Sequence, residues 1–386
     1  MKGATGQSVS HGVSGVKDLN IRLHGRLAPS GPGNYPIFKR TMPYPAGRVR
    51  RKMPRSGIAA GGPIPHSGTM SSPRVDPLTT AAKDVLEAFD SVNGGVHPGF
   101  RPAHAKGILL TGVFTPAPMA RFLSGAPHLE RASTPVSVRF SDFAGIPAVP
   151  DTDPNASPRG IAIRFHLAEH VHTDIIAHSV DGFPARTVEE FTEFLRAVAA
   201  SSVSTEHPSP IERFLGEHPA ALEFVQAPKP IPVSFAKNTY FGVSAYRFVS
   251  KDGASQYGRY RVCGDGDDEY LDAEAAARQS PDFLFDEIRQ RLARGPVRMH
   301  VAVQIAAEGD VVNDSTVHWP QERAETEFGT IEIQSEAPND AAEQRHIIFD
   351  PIPRVEGIEP SDDPLLDARA STYLASGRRR RANAPK

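Results

Sequence analysis

The pattern of hydrophobic and polar positions changes near Pro77. Before it, residues 1–75 are rich in Gly, Pro, Ser and Arg, show no periodicity and hold one acidic residue, Asp18. Such a composition cannot bury enough apolar surface to fold, so this stretch is predicted to be a disordered basic arm. The remaining residues, about 300, suffice for one large domain or two smaller ones.

Apolar residues at helical spacing predict several helices, each with a recognisable start or end. The predicted segments are LTTAAKDVLEAFDSVNGG (78–95) with a Thr cap, TVEEFTEFLRAVAAS (187–201) capped by Thr187, SPIERFLGEHPAALEFV (209–225) with a break near Pro219, SPDFLFDEIRQRLARG (280–295) ending at Gly295, and GIEPSDDPLLDARASTYLASGRRRR (357–381) with a Ser-Asp-Asp start.

Short apolar runs bounded by Pro, Gly, Asn or Asp predict strands. They are HAKGILLTGVFTP (104–116), PVSVRFSDFAG (135–145), RGIAIRFHL (159–167), TDIIAHSVDGFP (173–184), YFGVSAYRFVS (240–250), SQYGRYRVCG (255–264), RMHVAVQIAA (298–307) and FGTIEIQS (328–335). Many antiparallel strands with inserted and C-terminal helices predict an α+β domain built on a β-barrel.

Charge, cysteine content and hydropathy exclude several classes of partner and site. The net charge of −2 favours neither nucleic acid nor an anionic membrane as a partner. The one cysteine, Cys263, excludes an intrachain disulfide and a C-x-x-C site. No run of 18 apolar residues and no signal peptide is present, so a cytoplasmic protein without a membrane span is expected.

One pair on the last predicted helix suggests chemistry. Arg369 and Tyr373 are four residues apart, so they lie on one face of that helix. A guanidinium beside a phenol oxygen stabilises the phenolate, which suits ferric iron, and tyrosine is a known proximal haem ligand. Taken alone, the pair is better explained as a surface contact, because Arg and Tyr at this spacing are common.

Four further motifs accompany the pair. They read RPAHAKG (101–107), VRFS (138–141), PRGIAIRF (158–165) and FDPIPRVEGIEPSDDPLLDARASTY (349–373). In order and spacing they resemble the distal and proximal motifs of the haem catalase superfamily, from about Leu78 onward. The chain resembles in particular the short branch called catalase-related peroxidases.

The resemblance implies a catalase-type barrel, with residues 76–386 as a haem-binding domain and haem b between the barrel and the C-terminal helix. Tyr373 would be the iron ligand and His104 the distal histidine. Arg369 would tune Tyr373, and Ser141 would hydrogen-bond the distal imidazole. Arg101 and Arg139 would bind the haem propionates, and Arg380 would be another arginine near the haem. Phe183 would lie beside the distal cavity, and Phe191 would lie over the haem face or be a core residue of its helix.

The match departs from the family at the distal strand. The family pattern D-x-V-G-N-N-T-P-x-F-F stands here as DIIAHSVDGFP, so His178 holds the position of the distal asparagine. Imidazole is larger than an amide and ordinarily titrates near neutral pH, so geometry and pH dependence are expected to change. Pro184 replaces the second Phe, and Ala103 replaces a bulkier Val beside His104, which predicts a wider channel.

Four histidines, His166, His170, His172 and His178, share one strand parity and could form a metal site. A hairpin turn within AEHVH would break that parity. Solvated hairpin histidines are therefore expected, with only His178 turned inward.

These departures favour a haem peroxidase that reduces hydrogen peroxide or an organic hydroperoxide with a small organic reductant, with weak or no catalase activity. Three alternatives stay open: a small true catalase, an allene oxide synthase-like enzyme that converts hydroperoxides, and a non-enzymatic haem-binding barrel. The wrapping segments of tetrameric catalases are missing, so a monomer or homodimer is expected.

Overall fold

The computed structural model describes residues 76–383, so the predicted basic arm at 1–75 lies outside the described residues. The helices in this part are α1 (Pro77–Val92), α2 (Ala120–Leu123), α3 (Val188–Ser201), α4 (Pro210–Glu217), α5 (Pro219–Gln226), α6 (Ala273–Ala277), α7 (Phe283–Arg294), α8 (Asp340–His346) and α9 (Pro364–Ala382).

The strands are β1 (Gly107–Pro116), β2 (Thr134–Ser141), β3 (Gly160–Ala168), β4 (Val171–His178), β5 (Tyr240–Phe241), β6 (Tyr246–Val249), β7 (Ser255–Gly264), β8 (Val297–Ile305), β9 (Glu325–Glu336) and β10 (Ile358–Pro360).

The strands form one antiparallel sheet that closes on itself. The order is β10-β6-β7-β5-β4-β3-β2-β1-β9-β8, and an additional pairing of β7 with β8 completes an eight-stranded ring. The strands β6 and β10 extend the sheet beyond the ring at β7. Closure removes unpaired strand edges from the ring. The predicted α+β fold on an antiparallel barrel is confirmed.

A large apolar cluster fills the barrel and includes several fully buried phenylalanines. Phe114 packs edge-to-face on Phe165, with ring centroids 5.0 Å apart, and Phe140 stacks on Phe235 at 5.1 Å. Alternation along the strands explains the cluster, because every second side chain points inward.

Helix boundaries follow local signals. The Thr187 side chain caps α3 by accepting from the backbone N–H of Glu190, and α4 breaks from α5 at Pro219 as predicted. The Thr cap predicted for α1 is wrong: Asp76 caps the helix by accepting from the backbone N–H of Leu78. Pro77 explains the earlier start, since its fixed φ suits the first helical position.

The last helix, α9, lies against α1 and α8. Arg379 forms a two-pronged ion pair with Asp90 of α1, at 2.6 and 2.9 Å. Asp363 caps α9 through the backbone N–H of Leu365. Within residues 76–383, none of the helices combines the length and apolar character that crossing a membrane requires.

Candidate functional site

Three neighbouring strands set out the distal side of the site. Ser141 on β2 pairs with Gly160 on β3, which in turn pairs with His178 on β4. Residues directly opposite in a sheet point to the same face, and two strand spacings amount to about 10 Å. The side chains of Ser141 and His178 therefore point to the same face of the sheet, on either side of Gly160.

His104 occupies the room that Gly160 leaves. A Cβ atom on Gly160 would lie 2.8 Å from the His104 ring and 2.8 Å from the Ser141 hydroxyl. Any side chain at position 160 would displace the imidazole of His104. The close approach of the two residues therefore requires the glycine of the PRG motif. The structure thus brings together the three predicted distal residues His104, Ser141 and His178.

His104 is held in a strained backbone conformation. Its φ of +57° is uncommon for a residue with a side chain. Its N–H donates to Phe143 O at 2.6 Å, and its carbonyl accepts from Arg139 Nη2 at 2.9 Å. The Phe143 ring also packs edge-on against the imidazole, with centroids 5.4 Å apart. These contacts fix the ring, and Phe143 is a neighbour that the sequence did not identify.

The protonation of His104 follows from its surroundings. Nδ1 lies 3.1 Å from Ser141 Oγ, the partner that the sequence predicted. Burial is the main cause that lowers the pKa of His104 to about 3, and Arg139 adds to it. The imidazole is neutral at physiological pH, and with Nδ1 engaged, Nε2 is the nitrogen available for proton transfer.

His178 differs from the expectation that it titrates near neutral pH. Burial, followed by Arg369 and Lys229, lowers its pKa to about 3, so it stays neutral. Its Nδ1 accepts the backbone N–H of Val180 at 3.4 Å. A backbone N–H can only donate, so this contact favours the neutral tautomer with its proton on Nε2. His178 therefore offers an N–H donor.

The proximal pair stands on α9 as predicted. Arg369 donates from Nε and from Nη2 to the Tyr373 oxygen, both at 3.3 Å, and from Nη1 to Ser244 Oγ at 3.3 Å. Burial opposes the charge of Arg369, but Tyr373 and Tyr246 raise its pKa above the ordinary value. A cation fixed beside a phenol oxygen makes that oxygen a better anionic ligand.

Three arginines lie close to one another near residues 344–347. Arg101 and Arg380 both donate to Ile347 O, at 3.1 and 2.8 Å, while Arg139 donates to Gln344 Oε1 at 2.7 Å. Burial lowers the pKa of all three, to about 9 for Arg139 and about 10 for Arg380, and mutual repulsion adds to it for Arg101 and Arg139. None forms an ion pair with a carboxylate in the part of the chain that the structure describes.

Sequence reasoning missed the residues that hold Arg139. Gln344 also donates to Gly107 O at 2.9 Å and to Asp340 Oδ1 at 2.7 Å, and Asp340 accepts from Leu109 N at 2.7 Å. Both lie on α8, which the hydrophobic pattern did not predict. The Asn-Asp pair before AAEQRH is a helix-start signal that could have located it.

A buried clamp fixes the segment that leads to α9. Arg164 on β3 binds both carboxylate oxygens of Asp174 on β4, at 2.9 and 2.7 Å, and donates to Ile348 O. Asp174 also accepts from the backbone N–H of Asp350 at 2.8 Å. The clamp holds residues 348–350, next to the Ile347 carbonyl that Arg101 and Arg380 share.

Aromatic residues cover one side of the site. Phe183 and Phe191 lie with ring centroids 5.0 Å apart, and Phe191 also contacts Phe89 of α1 at 5.8 Å. Phe191 is half-buried and packs against a small core of α1 and α3. The structure brings the two predicted aromatic residues together. Phe191 makes the packing contacts expected of a core residue of its helix.

The candidate site gathers polar side chains that are partly withdrawn from solvent. His104, His178, Arg101 and Tyr373 are half-buried. Burial is the main cause of the shifted pKa values of the first three, and Arg101 and Arg369 act electrostatically on the two histidines. The three arginines, which lack a carboxylate ion-pair partner within residues 76–383, fit a planar group with anionic edges, so the residues present fit haem.

The remaining candidates have structural roles. The β3–β4 hairpin turns between Ala168 and Val171, which places His166 opposite His172, and the described residues contain no cluster suited to a metal ion. Cys263 lies within β7, and burial raises the pKa of its thiol to about 11. The protonated thiol is therefore a packing residue of this strand.

A family model described as Catalase matches residues 89–384. The chain belongs to the catalase family. Members of this family generally bind haem.

Among catalase-family relatives, a catalase-related peroxidase of Mycolicibacterium paratuberculosis is 36% identical over 299 residues, covering 75% of this chain and 92% of the relative. A catalase-related peroxidase of Synechococcus elongatus is 29% identical and covers 76% and 86%. Catalase B of Aspergillus fumigatus is 28% identical, but only 40% of its length is covered. The short members of the family match this chain over most of their length.

Solved catalases share the fold. A fungal catalase superimposes with a TM-score of 0.65 at 23% identity, covering 73% of this chain and 59% of that one. Catalase A from Saccharomyces cerevisiae gives 0.64 at 23%, covering 73% and 61%. This chain therefore spans about three fifths of the solved catalases, and at such identities the likeness concerns the fold alone.

Proposed function

We propose that the protein binds haem b between the barrel and α9, with Tyr373 as the ligand of iron. Two hydrogen bonds from Arg369 to the Tyr373 oxygen support this assignment. Arg101, Arg139 and Arg380 would bind the propionates or lie beside them, because they lie close enough to repel one another and have no carboxylate ion-pair partner within residues 76–383.

The proposed activity is that of a peroxidase that reduces hydrogen peroxide or an organic hydroperoxide with a small organic electron donor. Relatives called catalase-related peroxidase support it. The observation that carries the proposal is His178, which faces His104 across Gly160 where the family pattern has asparagine. Ala103, in place of a larger side chain, favours entry of bulkier peroxides.

When bound, haem supplies the iron at which the peroxide O–O bond breaks and through which electrons pass from the donor. His104 moves the proton: Nε2 takes it from one peroxide oxygen and returns it to the departing one. Ser141 keeps the imidazole in place through Nδ1. Neutral His104 is suited to this work because it starts as a base.

His178 contributes a hydrogen bond rather than a proton. Its Nε2–H is a donor to a peroxide oxygen at this site, as an amide would be. Because Nδ1 is committed to Val180, the ring cannot reverse its tautomer without losing that bond. Phe183 and Phe191 exclude water on the same side.

The Nε2–H group of His178 also favours a second candidate, a small true catalase, because dismutation of hydrogen peroxide needs a polar side chain at this position. The two are separated by following oxygen release and donor oxidation together, with hydrogen peroxide and with an alkyl hydroperoxide. Donor oxidation with little oxygen supports the peroxidase. Vigorous oxygen release supports the catalase. If haem is bound but neither oxygen nor oxidised donor is formed, both candidates are contradicted. We also propose a monomer or homodimer, which size-exclusion chromatography with light scattering tests.

A further inference from the structure

Phe224 is an aromatic residue near the distal side chains that the proposed proton transfer does not use. It lies on α5 and is half-buried. The helix joins the apolar cluster of α3 and α4 through Ala221, Leu222 and Val225. Within residues 76–383, Phe224 belongs to none of the apolar clusters. Packing of the helix on its neighbours therefore does not account for an aromatic side chain at this position.

The ring of Phe224 contacts His178. The two ring centroids lie 6.4 Å apart and the ring planes stand at 86°, which is an edge-to-face arrangement. Both side chains are half-buried, so solvent reaches part of each. Phe224 thus presents apolar surface beside the distal residue that departs from the family pattern.

A hydroperoxide held by His178 would extend towards this ring. A hydrogen bond from the imidazole N–H holds a peroxide oxygen about 2.9 Å from the nitrogen. The organic group begins one or two covalent bonds further on, a span comparable with the 6.4 Å between the two rings. An organic substituent therefore comes within contact range of Phe224, whereas hydrogen peroxide has no group that could fill this space.

Lys229 holds Phe224 from two directions. Its ammonium donates to the carbonyl oxygens of Phe224, Val225 and Ala227, at 2.6, 3.2 and 3.1 Å. An ammonium has three N–H donors, so these bonds use all of them and satisfy carbonyls that the end of α5 leaves open. The same nitrogen lies 5.0 Å from the centroid of the Phe224 ring, over its face.

The surroundings of Lys229 suit a positioning role. Within residues 76–383 no carboxylate pairs with it, and burial lowers its pKa to about 8. Its charge is instead stabilised by helix carbonyls and by an aromatic face, both of which turn negative charge towards a cation. Because every donor of Lys229 is committed to the end of α5, the ammonium fixes the helix end rather than binding a ligand.

We propose that Phe224 binds the organic substituent of a hydroperoxide whose oxygen is held by His178, and that Lys229 positions Phe224 for this contact. The substrate class is a hydroperoxide with an apolar substituent such as an aryl group, since an aromatic ring offers a large and rigid apolar surface. This inference rests on the proposed function. It assigns specificity to α5, a helix that carries none of the distal or proximal motifs.

The experiment compares cumene hydroperoxide, which carries an aryl group, with hydrogen peroxide, which carries none. The readout is the ratio of their kcat/KM values with the haem-loaded full chain. Phe224→Ala should lower this ratio about 10-fold, the size expected for the loss of one aromatic contact. The loss should come from a higher KM for cumene hydroperoxide, because the contact is equally strong before and during the reaction. Phe224→Leu keeps apolar surface without the ring and should lower the ratio about 3-fold.

Phe122 provides the matched control. It is an exposed phenylalanine on α2 and lies 4.9 Å from the guanidinium of Arg121, much as Phe224 lies under Lys229. Because α2 supplies no residue to the candidate site, Phe122→Ala should keep the wild-type ratio. Lys229→Met should lower the ratio as Phe224→Ala does, and Lys229→Arg, which keeps a cation at the helix end, should restore it.

A binding measurement separates the contact from the reaction. Isothermal titration calorimetry follows 2-phenylpropan-2-ol, the alcohol that corresponds to cumene hydroperoxide, added to the haem-loaded full chain without peroxide. The alcohol should bind the wild-type protein and should bind Phe224→Ala about 10-fold more weakly.

An equal ratio in the wild type and Phe224→Ala would overturn the assignment of Phe224, and so would equal affinities for the alcohol. An unchanged ratio in Lys229→Met would overturn the positioning role of Lys229. If Phe224→Ala does not fold, Phe224→Leu decides in its place, and a wild-type ratio in that variant overturns the proposal. A protein that binds the alcohol through Phe224 but consumes no peroxide would support the apolar contact and overturn the proposed function instead.

Discussion

Breaking the clamp between Arg164 and Asp174 should destabilise the domain and loosen the haem site together. Asp174 is 0% exposed at its side chain and Arg164 is 12% exposed, and the aspartate accepts three hydrogen bonds. Asp174→Asn replaces one acceptor oxygen with an NH2 group that faces N–H donors. Removing one partner of such a buried pair costs about 3–5 kcal/mol, because the other charge is left without compensation.

The control is an exposed pair of the same chemistry. Arg247 and Glu359 bridge β6 and β10 with side chains that are 41% and 47% exposed, so Glu359→Gln should cost less than about 1 kcal/mol. Urea unfolding of the haem-free proteins measures both values. Transfer of haem to an excess of apomyoglobin measures retention, which should weaken only in Asp174→Asn, since Ile347 and its two arginines adjoin the clamp. Equal losses for the two variants would refute the reasoning.

Four other outcomes are expected. Tyr373→Phe should lose haem or the ferric phenolate absorbance; retention of both excludes Tyr373 as ligand. His104→Ala should keep haem while peroxide consumption falls by about 10²–10⁴-fold, and a near-normal rate excludes His104 as the base. Arg139→Gln should speed haem transfer to apomyoglobin by roughly 10–100-fold, the equivalent of one charged hydrogen bond, and an unchanged rate removes Arg139 from the propionate site. The rate of peroxide consumption should show no inflection near pH 6.5 that His178→Asn removes, because His178 with a pKa of about 3 is already neutral there; a step at that pH that disappears in the variant means that His178 titrates.

Features with a local cause could be predicted from the sequence. Thr187, Pro219 and Gly295 act on the backbone within one helical turn, so the boundaries they set were correct. The distal and proximal motifs were recognisable because their spacing is preserved. The prediction of a catalase-family enzyme is confirmed.

Features that depend on distant contacts could not be predicted. The tautomer of His178 depends on one backbone N–H, and its pKa depends on burial and on the charges of Arg369 and Lys229. The short helix α8 shows little apolar periodicity, yet Gln344 reaches Arg139 across 205 positions of sequence. The charged cluster of Lys106, Asp142, Asp151 and Arg159 joins separate segments, so no single stretch of sequence reveals it.

The two sides of the candidate site are made at different times. His104, Ser141 and His178 precede the start of α9 by roughly 190 to 260 residues, and ribosomes add roughly 5–20 residues per second. The distal strands can therefore exist for tens of seconds before Tyr373 and Arg380 are synthesised. On the proposal that Tyr373 binds iron, cofactor capture waits for the last helix to emerge and dock on α1 through Arg379 and Asp90. A nascent chain that stalls earlier would then present a distal face to peroxide and solvent with no iron to use it.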